Sequence, residues 1–358
     1  LVQPRALDGT GRLWSPGVKR WVTPGSEAHM TEFFGPVLGL MRARTLEEAI
    51  ELQNATPFGL TAGIHSLDAE EVGLWVDSVE AGNLYVNRGI TGAIVRRQPF
   101  GGWKRSSVGG STKAGGPSYV FGFGTWKPVA REPKKNLSLR HLGEAAARVL
   151  EAAQPGMDFV GFDAARAGAL SDEKAWNAEF GVSRDVSALG VERNVLRYRP
   201  ASVVVRQAEG APLASVVRVL AAAARARATV TLSVSEPLPP ALLAIVEDEF
   251  DGALLHDPDA RVTIETDAAF AARVRSELPE RIRLIGSDGV VSGSGRTGAD
   301  VARELLHAIG GDPGVAIWSG PVTTAGRVEL LPFLREQAVS ITAHRYGNPY
   351  PPLAELEV

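Results

Sequence analysis

Strand and helix signals alternate along two separate stretches of this chain, and that alternation constrains the fold more than any single motif. In the first stretch, residues 37–42 (VLGLMR) read as a buried strand. Thr45 and Glu48 then form a T-x-x-E capping box, opening an amphipathic helix to about Asn54 that Pro57–Gly59 stops. Residues 60–65 are strand-like, and Asp68 with Glu71 repeats the cap signal for a helix to about Val79. The turn Glu80-Ala81-Gly82 feeds a strand at 83–87. Strands separated by helices of about ten residues imply βαβ units and a mostly parallel sheet. The second stretch repeats the pattern. Strands are expected at 195–198, 201–206, 229–233, 261–265, 281–285 and 315–318, with helices from Pro212, Pro239 and Asp267 and across 299–309. This is a doubly wound α/β pattern.

The segment between these stretches has a different character. Residues 89–117 are glycine-rich with little apolar periodicity, and so long a loop in a compact domain is usually functional. Residues 118–126 (SYVFGFGTW) are aromatic and β-prone, and are expected to form an exposed flap strand. A Pro- and Lys-containing linker at 127–135 marks a boundary, with helices expected at 139–153 and 171–180. The tail 330–345 reads as a short helix and then a strand at 338–344, expected to pair with the flap in cis or from a neighbouring subunit. The expected organisation is therefore 1–128, a linker with helices at 129–194, and a second α/β unit at 195–358.

Composition removes several function classes. The chain has no cysteine among 358 residues, so it carries no disulfide, zinc-thiolate site, iron–sulfur cluster or thiol nucleophile of its own. A formal charge of −3 argues against a nucleic-acid partner. The six histidines share no metal-ligand spacing, so no metal is expected. The most apolar stretch, 211–224, is interrupted by Arg218 and too short to span a bilayer. No signal pattern is present, and a cytoplasmic location is expected. Residue 1 is Leu, so the chain reads as a fragment or processed product.

Four blocks occur in fixed order: Glu32-Phe33-Phe34-Gly35-Pro36, Thr56-Pro57-Phe58-Gly59-Leu60, Glu80-Ala81-Gly82-Asn83 with Val86-Asn87, and Pro99-Phe100-Gly101-Gly102-Trp103-Lys104. Together they resemble the C-terminal part of the aldehyde dehydrogenase superfamily over roughly residues 1–128. The run from Asn87 to Phe100 (NRGITGAIVRRQPF), followed by Lys113-Ala114-Gly115-Gly116-Pro117, is similar to the 1-pyrroline-5-carboxylate (L-glutamate 5-semialdehyde) dehydrogenases. The dehydrogenase half of the bifunctional proline-utilization enzymes is the most similar of these. The implied fold is the C-terminal half of an aldehyde dehydrogenase catalytic domain with a β-flap, followed by a Rossmann-like α/β domain.

The resemblance implies NAD-dependent oxidation of L-glutamate 5-semialdehyde to glutamate, in proline catabolism. It implies that Gly92 and Ala93 anchor the substrate carboxylate, that Phe100 packs on the substrate, and that Glu32 and Phe34 meet the nicotinamide ribose and ring. Consecutive backbone amides at Thr91-Gly92-Ala93 suit an anion, and Gly92 has no side chain to block its approach. Arg96 and Arg97 either attract that anion or form a solvated loop. The family's cysteine nucleophile, base and oxyanion-stabilising asparagine lie N-terminal to the matched region, so the expected partners are that missing half and other copies of the chain. The chain alone is expected to be inactive. FAD enters only if a proline dehydrogenase domain lies upstream.

Residues 195–318 look like a worn cofactor domain. Ser233 stands where the family has an adenosine-binding lysine, and Gly293-Ser294-Gly295-Arg296-Thr297-Gly298 matches G-x-G-x-x-G without a long strand before it. A competing reading makes the C-terminal region a non-catalytic domain for assembly or for covering a substrate cavity.

Overall fold

Local capping sets the two helices of the first alternating stretch. In a computed structural model that describes residues 2–110, 112–129, 132–134, 136–247, 262–289 and 291–358, the Thr45 hydroxyl accepts from the Glu48 amide at 3.2 Å and opens helix Leu46–Asn54. The Glu48 carboxylate does not return to Thr45; it accepts instead from the Arg44 amide at 2.7 Å. Asp68 accepts from the amides of Glu70 and Glu71 at the head of helix Ala69–Ser78. Both helices flank the parallel strands Thr61–Ile64 and Asn83–Val86.

Of the six strands expected in the second alternating stretch, the one at 195–198 joins another sheet as Glu192–Pro200, antiparallel to its neighbour, and the other five form a parallel sheet. Its spatial order is Thr263–Ile264, Thr229–Val234, Ser202–Gln207, Arg281–Ile285, Ala316–Trp318, the doubly wound order in which the first strand sits at the centre. Val203, Val205, Val230 and Leu232 pack one face under helices Glu144–Ala153, Phe159–Ala175 and Leu213–Ala226. Val204, Ile282 and Leu284 pack the other against Phe270, Val274, Val301 and Leu305. Arg218 crosses the buried face of its helix because Asp172 receives its guanidinium bidentately at 2.7 and 2.8 Å.

A further sheet joins the two ends of the chain. Leu334–Thr342 lies parallel to Asn83–Val86 on one side and antiparallel to Glu192–Pro200 on the other, with Ile341 opposite Val86 and Arg193. Thr61–Ile64 and Arg184–Asp185 form its edges. Val339 and Ile341 are buried with Leu84, Val86, Val195 and Trp75 in one apolar cluster.

Several local expectations fail or shift. Residues 37–42 do form a strand, Val37–Leu40, but every residue in it is exposed, because among the described residues it pairs only with Gly17–Arg20 and no layer covers it. Residues 118–126 form no strand: Tyr119–Phe123 is a 3₁₀-helix, with Tyr119 edge-on to Phe123 at 5.2 Å and Phe121 stacked on Trp126 at 4.9 Å. The C-terminal strand therefore pairs with Asn83–Val86 and not with a flap. The helix expected at 171–180 begins earlier, as Phe159–Ala175 capped by Asp158, and ends in a π-turn at Trp176–Phe180. The strand expected at 261–265 is seen as Thr263–Ile264, and residue 261 lies outside the described residues.

Candidate functional site

The four motif blocks close on one another. A Cβ on Gly82 would collide with the Gly101 carbonyl, so the E-A-G-N turn and the P-F-G-G segment need two bare backbones at their contact. Asn83 fastens that contact from its buried side chain, donating to the Pro99 carbonyl at 3.0 Å and accepting from the Gly101 amide at 3.2 Å. Lys104 ends the block by pairing with Glu80 at 2.7 Å and donating to the Asn54 and Thr56 carbonyls.

Beneath this contact lies Lys113, 1% exposed. Its ammonium donates to Asn83 Oδ1 at 2.8 Å and to the Gly101 carbonyl at 2.5 Å, and its amide donates to Glu336 Oε2 at 2.6 Å. Burial pulls the Lys113 ammonium down to about 7, a shift that the Glu336 charge opposes. Burial in turn pushes the Glu336 carboxyl up, partly offset by Lys113. Sequence reading did not single out either residue for a role, although Lys113 opens the Lys-Ala-Gly-Gly-Pro block.

The loop above this layer runs from Arg88 to Phe100. Ile94 and Gln98 exchange backbone hydrogen bonds across a tight hairpin. Phe100 exchanges two with Ala114, and the Arg96 amide donates to the Gly115 carbonyl, which explains why the Lys-Ala-Gly-Gly-Pro block accompanies this loop. Gly92 sits at φ +118°, a region that L side chains rarely adopt, and a Cβ there would meet only Gln98 Oε1 at 3.3 Å. Its carbonyl accepts from the buried Tyr85 hydroxyl at 2.8 Å. Burial pushes Tyr85 above its ordinary pKa, so the phenol remains a donor at neutral pH. Among the described residues, the exposed amides of Gly92 and Ala93 take no hydrogen-bond acceptor. Phe100, half-buried, closes the same loop. Arg97 is held by Glu192 at 2.9 Å, while Arg96 is exposed.

Glu32 and Phe34 are placed apart from this loop. Both are exposed on the turn before strand Val37–Leu40, Phe34 is 92% exposed, and its backbone has φ +50°. No hydrogen bond or ion pair among the described residues joins either of them to residues 88–117.

Residues 3–128 match the profile of the aldehyde dehydrogenase family. The similarity to this family covers that segment alone. The 1-pyrroline-5-carboxylate dehydrogenase of Staphylococcus saprophyticus is 36% identical over 126 residues, which cover 34% of this chain and 24% of that protein. The enzyme of the same name from Geobacillus thermodenitrificans is 41% identical over 114 residues, covering 32% and 22%. Proline utilization A from Corynebacterium freiburgense matches 97% of this chain and 29% of its own, at 40% identity and a TM-score of 0.69. The aldehyde dehydrogenase segment is thus followed by a region that this solved structure also contains. The chain spans 24% or less of the length of the two curated relatives.

The worn cofactor motif in the second sheet is filled by protein. Ser233 is fully buried; its hydroxyl donates to Glu265 at 2.7 Å and accepts from Arg206 at 2.9 Å. Arg206 also reaches Asp267 at 2.9 Å. Burial raises the Glu265 carboxyl, but Arg273 and Ser233 hold it below the usual range. At the switch point between Ser202–Gln207 and Arg281–Ile285, a Cβ on Gly295 would strike the Glu209 carbonyl and one on Gly293 the Gly210 carbonyl. Gly298 opens helix Gly298–Ala308 behind a complete Thr297/Asp300 capping box. Gly293 and Gly295 thus serve close backbone packing, and Ser233, in place of the family's lysine, is spent on Arg206 and Glu265. No group of three or more His, Cys, Asp or Glu among the described residues is arranged for a metal, and no described helix is long and apolar enough to cross a membrane.

Proposed function

We propose that this chain is the substrate-side portion of an NAD-dependent dehydrogenase that oxidises L-glutamate 5-semialdehyde, the open form of 1-pyrroline-5-carboxylate, to glutamate in proline catabolism. The observation that carries this reading is the pair of exposed, unpartnered amides at Gly92 and Ala93 in a loop whose backbone is tied down on both sides. Unsatisfied N–H groups in a left-handed turn form a concave anion site, and the substrate brings an α-carboxylate. Phe100, half-buried at the end of the loop, offers an apolar wall to the substrate's methylenes. The similarity of residues 3–128 to enzymes named for this substrate supports the same reading.

In this reading NAD meets Glu32 and Phe34. The exposed carboxylate of Glu32 suits ribose hydroxyls, and the uncovered Phe34 ring, held out by its left-handed backbone, suits a flat aromatic partner. NAD when bound supplies the hydride acceptor. The nucleophile comes from outside this chain, which has no cysteine. The chain's own residues bind and orient: Gly92 and Ala93 fix the carboxylate end, Tyr85 fixes the Gly92 carbonyl, and Phe100 excludes water from the aliphatic stem. This loop geometry sets which aldehydes are accepted.

We place the functional division at residues 1–128, 129–194 and 195–358. A structural role for the C-terminal region is compatible with this assignment and is favoured by Leu334–Thr342, which forms the middle strand of a sheet shared with Asn83–Val86. Gly92→Val in the complete enzyme tests the reading. Loss of kcat/KM should be large, on the order of 100-fold, for glutamate semialdehyde, and small for an uncharged aldehyde of similar length. Equal losses for both would overturn the carboxylate clamp.

A further inference from the structure

The loop proposed above to bind the substrate is bolted at both ends to residues of the C-terminal sheet. Glu192, the first residue of strand Glu192–Pro200, accepts from Arg88 Nη1 through Oε1 at 2.7 Å and from Arg97 Nη2 through Oε2 at 2.9 Å. Arg88 precedes the Gly89–Ala93 turn and Arg97 follows it, so one carboxylate spans the loop's two stems. Gln98, 3% exposed, adds a second tie by donating to Asn194 Oδ1 at 2.9 Å and to Ser340 Oγ at 3.1 Å. Ser340 in turn donates to Asn194 Oδ1 at 3.1 Å. Asn194 and Ser340 face each other across the antiparallel ladder, and Ser340 lies beside Tyr85 across the parallel one. The Tyr85 hydroxyl holds the Gly92 carbonyl.

We propose that Glu192 is a positioning residue for substrate binding: by clamping Arg88 and Arg97 together it holds the Gly92–Ala93 amides in the convergent geometry that a substrate carboxylate requires. This deepens the reading of that loop as a carboxylate clamp and rests on it. Two features favour positioning over simple surface pairing. First, both carboxylate oxygens are used, each by a different arginine, so removing the charge releases both stems at once. Second, the pairs are only a fifth to a third exposed, with side-chain exposures of 21% for Glu192, 25% for Arg88 and 31% for Arg97, and so are shielded from much of the screening that weakens surface ion pairs. Burial raises the Glu192 carboxyl, and Arg88, Asn194 and Arg97 more than offset that effect, keeping it ionised. The C-terminal sheet then does more than cover an edge: it sets the aperture of the binding loop, and Arg97 acts as a bolt with its charge already spent on Glu192.

The test compares Glu192→Gln with the unaltered protein in the complete enzyme that contains this chain. The substrates are L-glutamate 5-semialdehyde and an uncharged aldehyde of the same length. The expected result is a KM for glutamate semialdehyde raised about tenfold, a much smaller change in kcat, and little change for the uncharged aldehyde. Hydrogen exchange of the 88–98 peptide should quicken, and adding Arg97→Gln to Glu192→Gln should cost little more, since the clamp is already open. Unchanged exchange in that peptide together with an unchanged KM overturns the role of Glu192. Equal losses on both aldehydes overturn it as well, because general loop damage would then explain them. Faster exchange without discrimination against the charged aldehyde overturns the carboxylate clamp beneath it, a failure that Gly92→Val would show independently.

Discussion

Two glycine-rich loops sit on the two parallel-sheet regions of this molecule, and they use glycine in opposite ways. In the 286–298 loop, glycine permits contact: Gly293 and Gly295 let the backbone lie against Glu209 and Gly210, where a side chain would collide with main-chain carbonyls. In the 88–100 loop, Gly92 holds a positive φ with only the Gln98 side-chain oxygen near its missing Cβ, at 3.3 Å, its carbonyl tied to Tyr85 and its amide without an acceptor among the described residues. A G-x-G-x-x-G pattern thus marks a closed packing joint, while a less conspicuous T-G-A marks the opening. What separates them is whether the glycine's missing side chain is faced by rigid backbone, as at Gly293 and Gly295, or by one side-chain oxygen, as at Gly92.

The largest effect that sharpens this contrast lies under the open loop, at Lys113. Its folded-state pKa is depressed by burial to about 7 from an ordinary value of 10.5. The unfolded chain therefore binds more protons between these values, and the Lys113 contribution to stability is present above about 10.5 and lost as pH falls through about 7. Against Lys113→Met, wild-type stability should rise with pH across that window, with a slope of at most about 1.4 kcal/mol per pH unit. Chemical denaturation at several pH values would show this. Parallel curves for the two proteins would mean that the ammonium stays charged in the fold.

Smaller effects separate the two loops directly. Gly295→Ala should destabilise by about 1–3 kcal/mol, since its methyl group must displace the Glu209 backbone. Gly92→Ala should cost about 1 kcal/mol, mostly from its backbone angle, since its methyl group meets only the Gln98 side-chain oxygen at 3.3 Å and no backbone. Urea unfolding of both variants measures the pair. A larger cost at Gly92 would reverse the assignment of which loop is closed.

Much of this architecture is legible in local sequence. The helices after Thr45 and Asp68 begin where a side-chain oxygen caps them, and most strands of both alternating stretches pair in parallel, because capping and periodicity act over a few residues; Glu192–Pro200, expected with the second stretch, runs antiparallel in the other sheet. Pairing over long distances is not legible in the same way. Residues 338–344 have the β-branched content of a strand, but nothing in them names Asn83–Val86 as the partner, and the expected flap at 118–126 coils into a 3₁₀-turn around its own aromatic contacts. Val37–Leu40 is apolar enough to be buried, yet burial depends on a covering layer that its own residues do not encode. Within the proposed site, Gly92, Ala93 and Phe100 sit in one continuous motif, so a sequence can point to them together. Glu192 is not legible in that way, because its meaning comes only from Arg88 and Arg97, about a hundred residues earlier, meeting it in space.

The central claim is that the Gly92 and Ala93 amides receive the α-carboxylate. A crystal structure of the complete enzyme with the product L-glutamate bound tests it most directly. The account predicts a carboxylate oxygen about 2.7–3.2 Å from each of these two nitrogens, with the methylenes against Phe100. A glutamate whose α-carboxylate is held by other groups, with the Gly92 and Ala93 amides facing only water, would contradict it.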